Sequence, residues 1–219
     1  MTRVTSERDD LQLIREHVAR LCSNYDDTYW ATCDSEHRFP WDFYRDMAAG
    51  GWVGIAIPEQ YGGGGRGIVE AAAVLEEVAA SGAAMNGASA LHMSIFGMQP
   101  VIRHGSEQMR QRFLPAVADG SLHVAFGVTE PDAGTDTSRI TTRAVRDGDH
   151  YVITGRKVWT SKALEADRIL LLTRTTPLEQ CRKPTDGMTL FLVDKHSPGV
   201  GVAPIPKMGR NAVASCETT

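Results

Sequence analysis

GVTEPDAGTDTS, residues 127–138, decides how this chain is read. An apolar, β-rich run over 122–128 breaks there into Pro, Asp and Gly, so a strand delivers a loop dense in backbone polar groups. Thr129 offers a hydroxyl where the strand ends. Pro131 and Gly134 shape the turn, and Thr135 and Asp136 add short side chains able to hydrogen-bond backbone or ligand. Such a loop suits the polar edge of a ring or a phosphate, and the same composition also serves an ordinary connection.

Upstream of this loop the apolar residues recur with helical spacing. Ser6 and Asp9 open a helix carrying Leu11, Ile14, Val18 and Leu21 on one face. Pro40 starts a short second helix with Phe43, Tyr44 and Met47 inward, and Gly50 is placed to end it in a left-handed conformation. An extended apolar piece follows over 52–57. The glycine run YGGGGRG, residues 61–67, has neither a Gly-Lys-Ser/Thr ending nor a G-x-G-x-x-G spacing, so it is a loop and no phosphate cradle. A helix over 68–80, stopped by Gly82, bears Glu70, Glu76 and Glu77 on its polar side. Adjacent helical carboxylates diverge, which makes a solvated or salt-bridged face of them rather than an acid/base pair. Residues 87–104 are apolar nearly all round and predict a central helix kinked at Pro100, where His92 and Met93 are either core residues or the lining of a ligand channel. Ser106 caps a last helix with Met109, Phe113 and Val117 inward, ending at Asp119-Gly120.

Downstream the period changes to two, with extended runs at 122–128, 139–145, 150–154, 168–173, 188–193 and 200–204 and a hairpin signal at Asp147-Gly148. No stretch between them is long enough for a crossover helix, so a closed or sandwiched β domain is expected, with 177–186 as a long exposed loop. The predicted architecture is an all-α domain over 1–120 followed by a β-barrel- or sandwich-like domain over 121–219.

Composition narrows the function classes. With 42% apolar and 23% charged residues the chain is an ordinary globular sequence, and no window is apolar for long enough to span a bilayer. The N-terminus is polar from its first residues, which predicts a cytoplasmic protein. Cys22, Cys33, Cys181 and Cys216 are scattered without CxxC spacing, predicting reduced thiols and no zinc site. A net charge of -4 without a basic stripe argues against nucleic acid and for small molecules or proteins as partners.

The loop together with KVWTS, residues 157–161, resembles the acyl-CoA dehydrogenase family, whose flavin loop reads T-E-P-x-x-G-S-D and whose second flavin strand reads K-x-W-I-T. The stretches GGWVGIAIPEQYGG (50–63), LEEVAASG (75–82) and IRHGSEQMRQRFLP (102–115) are similar to further landmarks of that family. Thr135 stands where the family has Ser, and Thr160, Ser161 and Lys162 stand where it has I-T-N. The resemblance implies FAD, held by the backbone of residues 126–129 (Phe126 and Val128 included), the Thr129 hydroxyl at the ring's polar edge, and Gly134 and Thr135 near the pyrophosphate or the substrate. Trp159, Thr160 and Ser161 would lie beside the ring, with Ser161 near N5. A core aromatic is the alternative for Trp159. The implied reaction is α,β-dehydrogenation of an acyl-CoA thioester to the trans-2-enoyl-CoA, with electrons passed to an electron-transferring flavoprotein in a homo-oligomer (dimer or tetramer) or a hetero-oligomer. The implied base is a Glu outside residues 1–219, in a C-terminal helical domain missing from this chain. Glu130, next to Thr129, is expected to brace the loop. The alternatives are an oxidase or monooxygenase of the same fold, and a non-catalytic subunit completing a flavin site with a partner chain.

Overall fold

The computed structural model describes residues 2–219, with side chains from Asp9 onward. The residues form two compact units. The first comprises the chain up to His123 together with Lys207–Val213, and the second comprises Val124–Pro206 with Ala214–Thr219. The architecture is that of helices followed by sheets, as the change of period implies.

The helical unit contains α1 (Thr2–Cys22), α2 (Asp27–Ser35), α3 (Trp41–Ala49), α4 (Ile68–Val78), α5 (Ala84–Phe96), α6 (Gln99–His104) and α7 (Glu107–Ala118). Its core gathers Trp30, Phe43, Tyr44, Met47, Val74 and Leu91, all buried. The rings of Trp30 and Phe43 meet edge-on at 5.0 Å, and Tyr44 reaches the Ser94 hydroxyl at 2.8 Å, which satisfies a buried polar pair. Glu76 and Glu77 both bind the Arg15 guanidinium at 2.6 Å, so the carboxylates of α4 hold α1. The segment Lys207–Val213, expected with the β half, joins this unit: Val213 enters the core, Arg210 donates to Ser89 Oγ at 2.8 Å and the Asn211 amide donates to Asp34 at 2.5 Å.

Several local expectations change. Helix α1 starts ahead of Ser6, whose side chain lies outside the described residues, as does the capping role assigned to it. Helix α2 was not expected; Asp26 starts it by accepting the Tyr29 amide, an N-cap signal without a clear apolar period behind it. Gly50 stays right-handed at φ −75°, and the left-handed residue is Gly51 at φ 77°. Residues 52–57 form turns, with Ile57 N bonded to Gly54 O at 2.9 Å. The expected long helix over 87–104 is two helices parted at Gly97-Met98, because Pro100, which lacks an N–H, fits only in the first turn of α6. In α7, Val117 is buried but Met109 and Phe113 are only half-buried, and Leu114 takes the inner position.

The second unit has β1 (Val124–Gly127), β2 (Arg143–Asp147), β3 (His150–Thr154), β4 (Lys157–Ser161), β5 (Arg168–Arg174), β6 (Met188–Asp194), β7 (Val202–Pro204) and β8 (Ser215–Thr218). Strand β5 organises one sheet: it runs parallel to β1 (Ala125 opposite Ile169), antiparallel to β6 (Leu170 opposite Leu192) and touches β2 at Arg143 and Arg174. Strands β2 and β3 form the hairpin turned by Gly148 at φ 59°. The other sheet has the order β4-β8-β7 and is antiparallel. Ala125, Ala163, Ala166, Ile169 and Cys216 form a buried apolar cluster in this unit.

Candidate functional site

The site is built on two adjoining segments, the end of β1 and strand β4. Glu130 and Ala133 close a tight turn by exchanging backbone hydrogen bonds (3.0 and 3.2 Å), which presents Pro131 and Asp132 to solvent. Strand β4 docks on the base of that turn: the Val158 amide donates to Thr129 O at 2.9 Å, and Lys157 Nζ donates to Val128 O at 3.0 Å. Lys157 and Glu130 form an ion pair at 2.8 Å, their side chains 1% and 4% exposed. Glu130 also accepts the Thr141 amide (2.6 Å), the Thr141 hydroxyl (2.8 Å) and the Thr142 amide (2.8 Å). Burial works against both charges. The carboxylate's donors, Lys157 first among them, outweigh it and hold Glu130 at about 2; on Lys157 burial outweighs the pull of Glu130 and leaves the ammonium below its ordinary range. Glu130 is therefore a brace, pinning the loop at its far end.

The same strand explains how Trp159 reaches solvent. Lys157 and Thr160 are both buried although an odd number of residues apart, which a regular strand forbids. Lys157 faces Thr218 and Thr160 faces Cys216, so β4 advances three residues while β8 advances two. The extra residue is a bulge, and Trp159 within it has φ 61° and is 56% exposed. A bulky residue in left-handed backbone is strained and persists only where the surroundings impose it.

Thr129, Gly134 and Trp159 line one open groove of about 460 Å³, together with Pro131, Arg156 and Ile205. Arg156 and Glu217 close one side as an ion pair. The structure does not bring all the expected site residues to it. Phe126 and Val128 are half-buried in and beyond β1, Thr135 is exposed on the loop, and Ser161 sits half-buried opposite Ser215. Thr160 points inward, fully buried, with its hydroxyl 3.4 Å from that of Thr218, so its side chain does not line the groove. A separate cavity of about 290 Å³, walled by Ile153, Leu171, Val193 and Val200, touches none of the expected site residues.

Residues 8–121 match the acyl-CoA dehydrogenase N-terminal domain and residues 125–219 match the acyl-CoA dehydrogenase middle domain. The chain belongs to the acyl-CoA dehydrogenase family. It is 35% identical over 202 residues to the acyl-CoA dehydrogenase FadE12 of Mycobacterium tuberculosis, covering 91% of this chain and 50% of that protein. Among solved structures it is similar to a probable acyl-CoA dehydrogenase from Mycobacterium abscessus (TM-score 0.87, 28% identity, 95% of this chain and 54% of that one). It is also similar to the prolyl acyl carrier protein oxidase AnaB (TM-score 0.82, 27% identity, 95% and 55%). The chain thus spans about half the length of the relatives it matches.

Acyl-CoA dehydrogenases use FAD, and the groove fits such a group. Trp159 exposes a flat apolar ring and Thr129 brings a hydroxyl to the same wall. At Gly134 an added Cβ would meet nothing within 4 Å, leaving room for a ligand against the backbone. Lys162, where acyl-CoA dehydrogenases carry Asn, was missed as a chemically unusual residue. Its backbone is left-handed (φ 64°), a conformation Asn adopts readily and Lys does not, and its side chain is fully buried. Burial pulls its ammonium down to about 7, with Glu165 and Asp167 opposing. The Asn in the family motif was the available signal that this position needs positive φ.

Proposed function

We propose that this chain supplies the helical and sheet units of an FAD-dependent acyl-CoA dehydrogenase, a cytoplasmic homo-oligomer in fatty acid metabolism. It acts on an acyl-CoA thioester, forms the trans-2-enoyl-CoA and passes the electrons to an electron-transferring flavoprotein. The observation that carries the reading is the convergence of Thr129 and Trp159 on one groove, fixed by the Val158–Thr129 backbone bond and the buried Glu130–Lys157 pair. When bound, the flavin supplies a two-electron acceptor for the β-hydride. In this reading the Thr129 hydroxyl and the backbone of residues 126–129 donate to the ring's polar edge, where negative charge grows on reduction. Trp159 covers one ring face and keeps water from it. Gly134, which lines the groove, holds the pyrophosphate; the family resemblance adds Thr135 for the pyrophosphate or substrate and Ser161 near N5, although neither lines the groove here.

The α-proton goes to a carboxylate outside residues 1–219. Glu130 is unsuited to the task, because a base that must take a proton near neutral pH cannot be enclosed and held at about 2. Among the described residues no helix is long and apolar enough to cross a membrane. The test is to mix the chain with excess FAD, follow quenching of tryptophan emission against a Trp159→Phe control, because Trp30, Trp41 and Trp52 also emit, and then add a panel of acyl-CoAs in a stopped-flow instrument. Quenching without substrate-dependent bleaching is expected. A folded chain that ignores FAD would refute the flavin reading, and bleaching would place the base within these residues. The likeness to AnaB favours an oxidase as the second reading. Oxygen challenge of the anaerobically reduced holoenzyme separates the two, since a dehydrogenase reoxidises slowly with oxygen and quickly with a carrier protein.

A further inference from the structure

Arg174, the last residue of β5, is a buried cation outside the groove. It is 6% exposed, and among the described residues its guanidinium meets carbonyl oxygens only. Nε donates to Ile140 O at 3.0 Å, Nη1 to Asp186 O at 3.2 Å, and Nη2 to Pro184 O at 2.8 Å and to Ser138 O. Two of these carbonyls belong to the segment that leaves the flavin loop, and two belong to the loop between β5 and β6. A buried cation neutralised by a carboxylate would stabilise one partner group. A planar fork held by four carbonyls instead fixes two stretches of backbone relative to each other.

Each stretch is closed on itself, and among the described residues no other hydrogen bond joins residues 136–140 to residues 177–187. The flavin loop is pinned at Thr141 and Thr142 by Glu130, and its apex from Gly134 to Thr137 is exposed. Asp136 organises the intervening turn by accepting the Ser138 amide and hydroxyl. The β5–β6 loop closes on itself through Thr175 N to Gly187 O (2.9 Å) and through Cys181 Sγ, whose contact with Asp186 O (3.4 Å) shares the carbonyl that Arg174 Nη1 uses. Arg174 is the joint between these two self-closed loops.

We propose that Arg174 is a positioning residue for the flavin groove: it welds residues 136–140 to the β5–β6 loop, so that ligand held at Gly134 and Thr135 orders residues 177–187 as well. The proposal rests on the flavin reading of the groove for the ligand and on the guanidinium geometry alone for the weld. It gives an exposed loop, remote in sequence from both flavin segments, a state that depends on whether the groove is filled.

Hydrogen exchange resolved by segment tests both parts. In the FAD-free wild-type chain, amides of 138–142 and 185–187 should open together, with a common dependence on low denaturant. Arg174→Met should raise exchange in both, and Arg174→Lys, which keeps the charge but loses the fork, should do so to a smaller extent. Excess FAD should slow exchange at 131–140 and at 177–187 in the wild type, but only at 131–140 in Arg174→Met, with the FAD dissociation constant raised about tenfold. A generally weakened fold would loosen β1 and β6 too and would leave FAD protecting both segments in Arg174→Met. The weld is overturned if the two segments open independently in the wild-type chain, a measurement that needs no variant to fold. It is also overturned if FAD protects 177–187 equally in Arg174→Met. If FAD protects neither segment of the wild-type chain while the two still open together, the flavin reading fails and the weld stands.

Discussion

Replacing Lys157 by Met removes the only cation bonded to the Glu130 carboxylate in the described structure and leaves the apolar stem in place. Glu130 would keep its three donors from Thr141 and Thr142, but it is 4% exposed, and a buried charge stripped of its partner costs about 3–5 kcal/mol. The folded state holds this carboxyl at about 2 against an ordinary 4.5; that gap, roughly 1.4 kcal/mol per pH unit or about 3 kcal/mol in all, is the net of burial and every donor together, Lys157 and the Thr141 and Thr142 groups, and not the share of Lys157 alone. The sign follows from the direction: a carboxyl depressed by folding contributes its full stability above pH 4.5 and loses it as pH falls towards 2. Wild-type stability in the sheet unit should therefore fall off in that acid window, and Lys157→Met should start lower and show a shallower acid limb. The assay is opening free energy from amide exchange of β1 and β4, taken on Lys157→Met, Glu130→Gln and the double variant. The double variant should cost less than the sum of the singles by about 1–3 kcal/mol, because the second change removes a group the first has already orphaned. Additivity within about 0.5 kcal/mol, or an acid limb unchanged in Lys157→Met, would refute the pair as the brace of this loop.

Thr129→Val keeps the side-chain volume and removes one donor to a ring edge that becomes charged, a bond worth about 1.5–3 kcal/mol, so FAD affinity measured by titration should drop by roughly ten to a hundred times. Trp159→Gly should separate strain from binding: the left-handed bulge relaxes by about 1 kcal/mol and the FAD-free sheet unit holds or gains stability, while FAD binds at least about tenfold more weakly. Lys162 is protonated up to 10.5 when unfolded but only to about 7 when folded, so the stability of the sheet unit should rise between those pH values, by at most about 1.4 kcal/mol per pH unit. Lys162→Asn should flatten that rise in denaturant titrations at a series of pH values.

Much of the architecture was legible because it depends on period. The helical spacing in Ile68–Val78 puts Ala71, Val74 and Val78 on one buried face, and the apolar run over 151–153 beside the Asp147-Gly148 turn marks a strand although β3 itself stays mostly exposed. The exceptions have local causes. Residues 52–57 read as extended because they are apolar, yet Gly54 sits where an added Cβ would lie 2.8 Å from Ala118 Cα, and a chain forced that close to α7 turns instead of extending. Strand β8 lies in SCET, four residues without the β-branched enrichment that marks a strand alone; its place between β4 and β7 decides it.

The site was legible in part, and the division follows the physics of strands. Motif order placed Thr129 and Trp159 near each other in expectation, and both line the groove. The family resemblance assigned Thr160 to the cofactor together with its neighbours, and the bulge sends its hydroxyl inward to Thr218. A bulge leaves little trace in composition: KVWTS alternates well enough as a regular strand, and only the pairing of Lys157 with Thr218 and Thr160 with Cys216 reveals the extra residue. That extra residue is what lets Lys157 turn inward to Glu130 while Trp159 turns outward to the groove. The brace and the ring wall are thus two consequences of one backbone irregularity, and a change that restored regular pairing in β4 would be expected to cost both.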